Sequence, residues 1–321
     1  MESKRPEDCL LTKNENQRIF LKEIIPDRFS SASKNTEPEF FALLATPGTG
    51  KSRVNQGVRE IYFDHRGGSI PLDSDLYKPY HPAYAQLLAE DDRTAAQLVR
   101  QDGRRWLARG QTYVKEHKLN ALLDWIGSSS DIDEFIGLME GYREAGFRRS
   151  TVVIAAPAAL SRLGIVQRFS EQRQESGVGR LTKTENHDAS YVGIPETRDK
   201  IDELCLAEEL YIIRRNGKLL HFNAADANGN WIGEPRTRDV LEEERYRPWS
   251  QEESLDFLIQ IGELREALGS EWDGYIDEIV DLARPLLVPE TEKAIAHGKQ
   301  LDLKKLTAFP TRSTPPHRPC R

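Results

Sequence analysis

A strand, a tight loop and the start of a helix follow one another over residues 39–52, and this segment constrains the fold most strongly. Five of the six residues at 39–44 are apolar, which predicts a buried strand. The loop reads Ala45-Thr46-Pro47-Gly48-Thr49-Gly50-Lys51-Ser52, which matches the phosphate-binding motif except that its first glycine is Ala45. In such a loop the backbone N–H groups surround phosphates, Lys51 reaches the β- and γ-phosphates of ATP, and Ser52 ligates Mg²⁺. The segment therefore predicts an ATP·Mg²⁺ site.

The composition restricts the classes of partner. The chain has 321 residues and a net charge of −7, which disfavours a general nucleic-acid binder. Cys9, Cys205 and Cys320 are too few and too scattered for a disulfide framework or a zinc site, and they favour a reducing compartment. There is no apolar run of spanning length and no signal-like N-terminus. We therefore expect a cytoplasmic chain with no nucleic-acid or membrane partner.

The order of predicted elements indicates the fold class. Strands are predicted at 39–44, 69–73, 119–124 and 151–156, and strands 210–214 and 218–222 flank an Asn-Gly hairpin signal. Helical patterns lie between the earlier strands, which predicts a three-layer α/β fold with a mostly parallel sheet.

The pattern along the chain predicts four regions. These are an N-terminal helical lead-in (1–38), an α/β domain that carries the phosphate loop (39–248), a C-terminal helical appendage (249–302), and a basic, proline-rich, disordered tail (303–321).

Carboxylates follow two of the predicted strands. Asp73 and Asp75 come directly after the second strand, and Asp124 ends the third. Functional groups in an open α/β sheet cluster at the carboxyl ends of the strands. A carboxylate there can take the proton of an acceptor hydroxyl, although Asp is also a favoured helix N-cap. Asp124 is a candidate for binding the substrate or a metal-bound water.

Basic residues follow the later strands. Arg162 and Arg168 lie on the helix after Pro157, and Arg180 lies in the loop beyond it. Because Arg neutralises the charge of a transferring phosphoryl group, this order is typical of a kinase lid. His81, in a proline-restrained loop, is either a substrate contact or a solvated side chain.

These motifs together resemble the zeta toxin family, the kinase half of epsilon–zeta toxin–antitoxin systems. The resemblance covers about residues 15–225. It rests on the phosphate loop and on segments 73–84, 146–147, 151–157, 161–164 and 167–169, with an Arg and a His-Asp pair further on at 180 and 187–188.

The resemblance implies roles for individual residues. Lys51 would grip the ATP phosphates and Ser52 would hold Mg²⁺. Asp75 would be the general base, and Arg168 and Arg180 would stabilise the transferring phosphoryl group. It also implies a possible antitoxin partner, and an acceptor similar to UDP-N-acetylglucosamine.

The chain departs from the family pattern at two places. Ala45 replaces the first loop glycine, and after Asp124 the family's Gly-Thr is replaced by Trp125-Ile126. The expected activity is an ATP/Mg²⁺-dependent kinase acting on a hydroxyl of a sugar nucleotide. The alternatives are a kinase of this fold with a nucleotide or dinucleotide acceptor, and a catalytically decayed nucleotide-binding interaction protein.

Overall fold

A six-stranded sheet forms the centre of the computed structural model, which describes residues 5–91 and 94–289. The strands lie in the order β2-β3-β1-β4-β5-β6, and only β6 is antiparallel to its neighbour. Their bounds are β1 Glu39–Leu44, β2 Ile70–Leu72, β3 Ala121–Trp125, β4 Arg148–Ala155, β5 Glu209–Arg214 and β6 Leu219–Ala224. The predicted α/β fold with a mostly parallel sheet is confirmed.

The helices connect the strands and cover both faces of the sheet. They are α1 Pro6–Cys9, α2 Lys13–Ile19, α3 Lys51–Gly57, α4 Ser74–Tyr77, α5 Tyr84–Glu90, α6 Ala95–Leu98, α7 Arg100–His117, α8 Ile132–Glu144, α9 Ala158–Ser176, α10 Thr184–Leu204, α11 Thr237–Tyr246, α12 Gln251–Leu268 and α13 Asp273–Ala283. π-helical segments, Phe20–Phe29 and Val58–Phe63, continue α2 and α3. None of the helices in the described ranges is long and apolar enough to cross a membrane.

Alternate residues of the central strands enter two separate apolar cores. Phe40 and Ala42 of β1 belong to the larger core, with Trp106 and Phe135 of the flanking helices. Phe41 belongs to the smaller core on the other face, which also contains Phe63. This alternation follows from the two-residue period of a strand. Because both faces are covered, the parallel strands read as continuous apolar runs.

The position of β1 fixes where a site can form. β1 lies between β3 and β4. The connection that follows β1 runs toward one side of the sheet, to β2, whereas the connections that follow β3 and β4 run toward the other side. Ligands of open α/β sheets bind at such a switch point, outside the carboxyl ends of the strands. The phosphate loop follows β1, and Asp73 and Asp124 lie at the ends of β2 and β3.

The described chain divides into two compact units, one ending at Tyr246 and the other beginning at Arg247. The second unit contains α12 and α13, as the helical stripes predicted. Within it Trp249 packs edge-on against Phe257, with 5.1 Å between ring centroids. The predicted tail 303–321 lies outside the described residues.

Candidate active site

The phosphate loop begins with a turn that its sequence requires. Thr46 C=O accepts a hydrogen bond from the Thr49 N–H at 3.3 Å and from the Thr49 hydroxyl at 2.8 Å. Pro47 lies at the second position of this turn. Gly48 lies at the third, with φ of 84°, where glycine is favoured. A β-carbon on Gly48 would also lie 1.9 Å from the Ser161 carbonyl oxygen. The loop is therefore in backbone contact with α9.

Ala45 is accommodated in place of the expected glycine. Its φ is not positive, since Lys118 and Cys205 are the non-glycine residues with positive φ in the described chain. Its N–H donates to the Trp125 carbonyl at 3.2 Å, and its methyl group is buried in the smaller core. The loop positions with left-handed backbone are Gly48 and Gly50, and Gly50, with φ of 88°, lies directly before α3. The substitution therefore leaves the loop geometry intact.

Lys51 and Asp124 face each other across the crevice. Lys51 Nζ lies 3.8 Å from Asp124 Oδ2, and both side chains are largely buried. Asn55, one turn further along α3, donates to the other carboxylate oxygen of Asp124. Burial lowers the pKa of Lys51, and Asp124, Asp73 and Asp75 oppose that shift. The Lys51 ammonium thus lies among carboxylates, and its separation from Asp124 is long enough for the ammonium also to contact an anion.

The two carboxylates after β2 have different surroundings. Asp73 caps α4, with its Oδ1 accepting the Asp75 N–H at 2.8 Å. Burial raises the pKa of Asp73, and Asp75 adds to the rise. Asp75 Oδ1 accepts from Lys78 Nζ at 2.5 Å, and Asp75 Oδ2 accepts from Arg180 at 2.5 Å. Burial raises the pKa of Asp75, but Arg180 and Lys78 outweigh it and lower the value to about 2.

Two of the three arginines predicted to form a lid, Arg168 and Arg180, converge on the same crevice, and Arg162 does not. Arg168 of α9 donates to the Thr182 hydroxyl at 3.0 Å. Burial lowers the pKa of Arg168, the positive charge of Arg180 lowers it further, and Asp75 opposes them. Arg180 extends from the loop after α9 to Asp75. The structure thus brings Lys51, Asp75, Asp124, Arg168 and Arg180 together, and we call these residues with Asp73 and Lys78 the carboxyl-edge cluster.

Arg162 lies in a separate network that anchors α9 to α10. Its Nη2 donates to both carboxylate oxygens of Asp188 at 2.9 Å. His187 bridges Asp188 and the Ser161 hydroxyl, at 2.8 and 2.7 Å. Ser161 is fully buried, so this chain of contacts is a structural connection. It fixes the helix against which Gly48 packs.

The contacts of His81 lie outside the carboxyl-edge cluster. Its Nε2 lies 3.0 Å from the Cys9 carbonyl oxygen, and its Nδ1 accepts the Ala83 N–H at 3.2 Å. The ring is buried beside Trp106, and Asp102 Oδ2 lies 3.5 Å from Nε2. Nε2 is therefore engaged with the N-terminal segment and Nδ1 with the backbone of its own loop, and the expected substrate contact is not carried further.

Sequence reasoning missed three residues at this edge. Asn55 follows Lys51 by four positions, and the helical period could have placed it on the same side of α3. Lys78 precedes Pro79, and nothing local shows that its ammonium is buried. Arg215, in the hairpin turn, lies beside Gly50 and Gly164 and donates to the Leu160 carbonyl at 3.1 Å. Only the tertiary fold brings Arg215 to the loop.

The donors present fit Mg²⁺ with a bound nucleotide. Ser52 is exposed at the start of α3, and Asp124 presents a carboxylate near Lys51. Mg²⁺ in such sites takes a few hard oxygen ligands from protein and the rest from phosphate and water. Ser52 would hold the ion, which when bound would neutralise charge on the phosphates.

Comparison with known sequences shows which family the chain resembles. A sequence model of the zeta toxin family matches residues 24–226. Toxin PezT of Streptococcus pneumoniae is 23% identical over 230 residues, which is 71% of this chain and 85% of the relative. Toxin zeta of Enterococcus hirae is 21% identical over 185 residues, and the match spans 63% of that protein's length and 57% of this chain.

Solved structures show the same fold. The structure from the PezAT toxin–antitoxin system of Streptococcus pneumoniae superposes with a TM-score of 0.67 at 18% identity, covering 82% of this chain and all of that one. The AvrRxo1-ORF1:AvrRxo1-ORF2 complex with ATP gives 0.51 at 14% identity, covering 88% of this chain and 89% of that one. The family match covers well over half of the chain, including the phosphate loop, Arg168 and Arg180, and the protein belongs to the zeta toxin family.

Proposed function

We propose that this protein is an ATP/Mg²⁺-dependent small-molecule kinase that transfers the γ-phosphate to a hydroxyl of a sugar nucleotide such as UDP-N-acetylglucosamine. The observation that carries the proposal is the carboxyl-edge cluster. It places a phosphate-loop lysine, a carboxylate and two arginines around one crevice. These are the groups that phosphoryl transfer needs.

The proposed roles follow from the contacts. The loop N–H groups and Lys51 bind the phosphates of ATP. Arg168 and Arg180 offset the charge that spreads over the transferring phosphoryl oxygens. Asp75 accepts the proton of the acceptor hydroxyl as the new P–O bond forms and the bond to the leaving ADP breaks. For this step Arg180 must leave Asp75 Oδ2, and its half-exposed side chain on a loop allows that.

Trp125 and Ile126 affect which class of acceptor the site would take. Ile126 is 44% exposed at the end of β3, and Trp125 packs on Phe135 with 5.2 Å between ring centroids. A site built with hydroxyl-binding side chains discriminates strongly among acceptors. These two residues supply an apolar surface instead, which favours the second candidate, a nucleotide or dinucleotide acceptor on the same catalytic cluster.

A panel of acceptors tests the proposal. The protein is incubated with ATP and Mg²⁺ beside UDP-N-acetylglucosamine, other sugar nucleotides, mononucleotides and dinucleotides, and products are detected by mass spectrometry and ³¹P NMR. We expect one class of acceptor to gain a phosphate, and Lys51→Ala to abolish the product. Phosphorylation of a dinucleotide alone would favour the second candidate. ATP binding with no product from any acceptor would instead indicate a decayed, nucleotide-binding interaction protein.

A protein partner is part of the proposal. The PezAT neighbour comes from a toxin–antitoxin system, and we propose that an antitoxin binds and restrains this chain. If the chain is toxic when expressed alone in bacteria, co-expression of this antitoxin should relieve the toxicity. Toxicity that Asp75→Asn does not relieve would contradict a toxic phosphotransfer.

A further inference from the structure

Lys78 is the most deeply buried member of the carboxyl-edge cluster, and the roles proposed above leave it unassigned. Its side chain is 5% exposed, and its ammonium donates to Asp75 Oδ1 at 2.5 Å. A β-carbon added at Gly103 of α7 would lie 3.8 Å from Lys78 Cγ, so the aliphatic stem passes over that helix. A lysine ammonium is almost never buried unless it is paired.

The two cations on Asp75 differ in how firmly they are held. Lys78 lies three residues after Asp75 on the same short helical segment, and Pro79 follows it. Arg180 lies on the loop between α9 and α10, and its side chain is 49% exposed. The pair with Lys78 is therefore fixed by the local fold, whereas the pair with Arg180 can exchange for a phosphate.

We infer that Lys78 is a positioning residue, which holds Asp75 Oδ1 so that Oδ2 is presented to the acceptor hydroxyl when Arg180 turns to the phosphoryl group. The inference rests on the proposed function, because it assigns a role within that site. Lys78 touches the base and not the substrate. Its loss should change how well Asp75 works and leave ATP binding unchanged.

Loss of the Lys78 charge should change the pKa of Asp75 in one direction. Asp75 is faced by Lys78 on its own segment, Arg180 on the lid loop, Arg168 on α9, Lys51 on α3, Asp73 before α4 and Tyr84 on α5. Burial favours the protonated carboxyl, and the cations favour the carboxylate. An opposite charge at this range lowers a carboxyl pKa by roughly 1–3 units. Removal of the Lys78 charge should therefore raise the pKa of Asp75 by about one unit or more.

Two readouts on Lys78→Met test the inference. Methionine keeps the length and apolar stem, which suits the burial. In ¹³C NMR of the ligand-free protein, the Asp75 carboxyl signal, assigned with Asp75→Asn, should titrate about one unit or more higher than in wild type. In turnover assays kcat should fall about tenfold or more, short of the roughly 10²–10⁴-fold for removing a general base. The KM for ATP should stay unchanged, and Lys78→Arg should restore part of kcat.

Lys200→Met is the matched control, because it removes another lysine paired with a carboxylate three residues away, on the exposed face of α10. It should change neither readout. An Asp75 pKa that is unchanged in folded Lys78→Met, or an unchanged kcat, would overturn the inference about Lys78 and leave the proposed function standing. Absence of phosphotransfer by the wild-type chain with every acceptor would overturn the proposed function, and the positioning role with it, whatever the NMR shows.

Discussion

The two edges of the central sheet both carry buried charge, but they use it differently. At the amino edge Arg149, 3% exposed, donates to both carboxylate oxygens of Glu208, and Arg66 Nη1 donates to Glu39 at 2.9 Å. Asn120 completes that edge with donations to the Arg66 and Gly68 carbonyls. Each charge there is matched by a fixed partner, which is what a structural network requires.

At the carboxyl edge the cations exceed the carboxylates. Lys51, Lys78, Arg168 and Arg180 face Asp73, Asp75 and Asp124. The separation between Lys51 and Asp124 is 3.8 Å, which is longer than the pairs at the amino edge. An excess of incompletely paired cations is costly for folding and useful for binding an anion. This difference supports our proposal that one edge stabilises the sheet and the other binds phosphate.

The largest effect on turnover should come from substituting Arg168 or Arg180. In the proposed mechanism Arg168→Ala or Arg180→Ala removes charge that acts on the transition state, and single arginines in such sites contribute about 10³–10⁵-fold in rate. We expect kcat to fall by several orders of magnitude while the KM for ATP changes little. Steady-state kinetics with the identified acceptor measures both. If only KM changed, the arginines would be plain binding residues and the contrast between the edges would weaken.

A somewhat smaller loss should follow Asp75→Asn, which is nearly isosteric and cannot take a proton. General-base catalysis contributes roughly 10²–10⁴-fold, so kcat should fall by about that factor. Asp73→Asn is the control, because asparagine caps a helix as well as aspartate does, and it should retain turnover. An inactive Asp73→Asn beside an active Asp75→Asn would show that the base is assigned to the wrong carboxylate.

At the amino edge a substitution should affect stability and not chemistry. Glu208→Ala leaves the Arg149 guanidinium buried without its carboxylate. Breaking a fully buried pair costs roughly 3–5 kcal/mol, and because Glu208 is 33% exposed, we expect about 2 kcal/mol. Urea denaturation measures the loss in the free energy of unfolding. A kcat per folded molecule that also fell would show that the two edges are not independent.

Sequence reasoning predicted the central strands because they are continuous apolar runs. The bounds 39–44 for β1 are those observed. β4 begins at Arg148, three residues before the prediction, because Arg149 is buried through its pair with Glu208, and no local pattern shows that partner. β2 is shorter than predicted, and Asp73 at its end caps α4 instead of extending the strand.

The candidate site was predictable where a motif carried it. The loop follows from its own motif, and the resemblance to the zeta toxin family singled out Asp75, Arg168 and Arg180. Arg162 was expected beside them and pairs with Asp188 instead. The roles of His81 and Lys78 were not predictable, because a buried ring and a buried ammonium depend on segments far away in sequence, α1 and α7. Arg215 reaches the loop only through the β5–β6 hairpin.

Lys51→Ala, measured for both turnover and thermal unfolding, tests the central claim most directly. If the carboxyl edge binds phosphate and carries little of the stability, the variant should lose ATP-dependent phosphotransfer to the acceptor. Its Tm should stay close to that of wild type, because the Lys51 pair with Asp124 is long. Retained phosphotransfer in the folded variant would contradict the assignment of this edge as the kinase site.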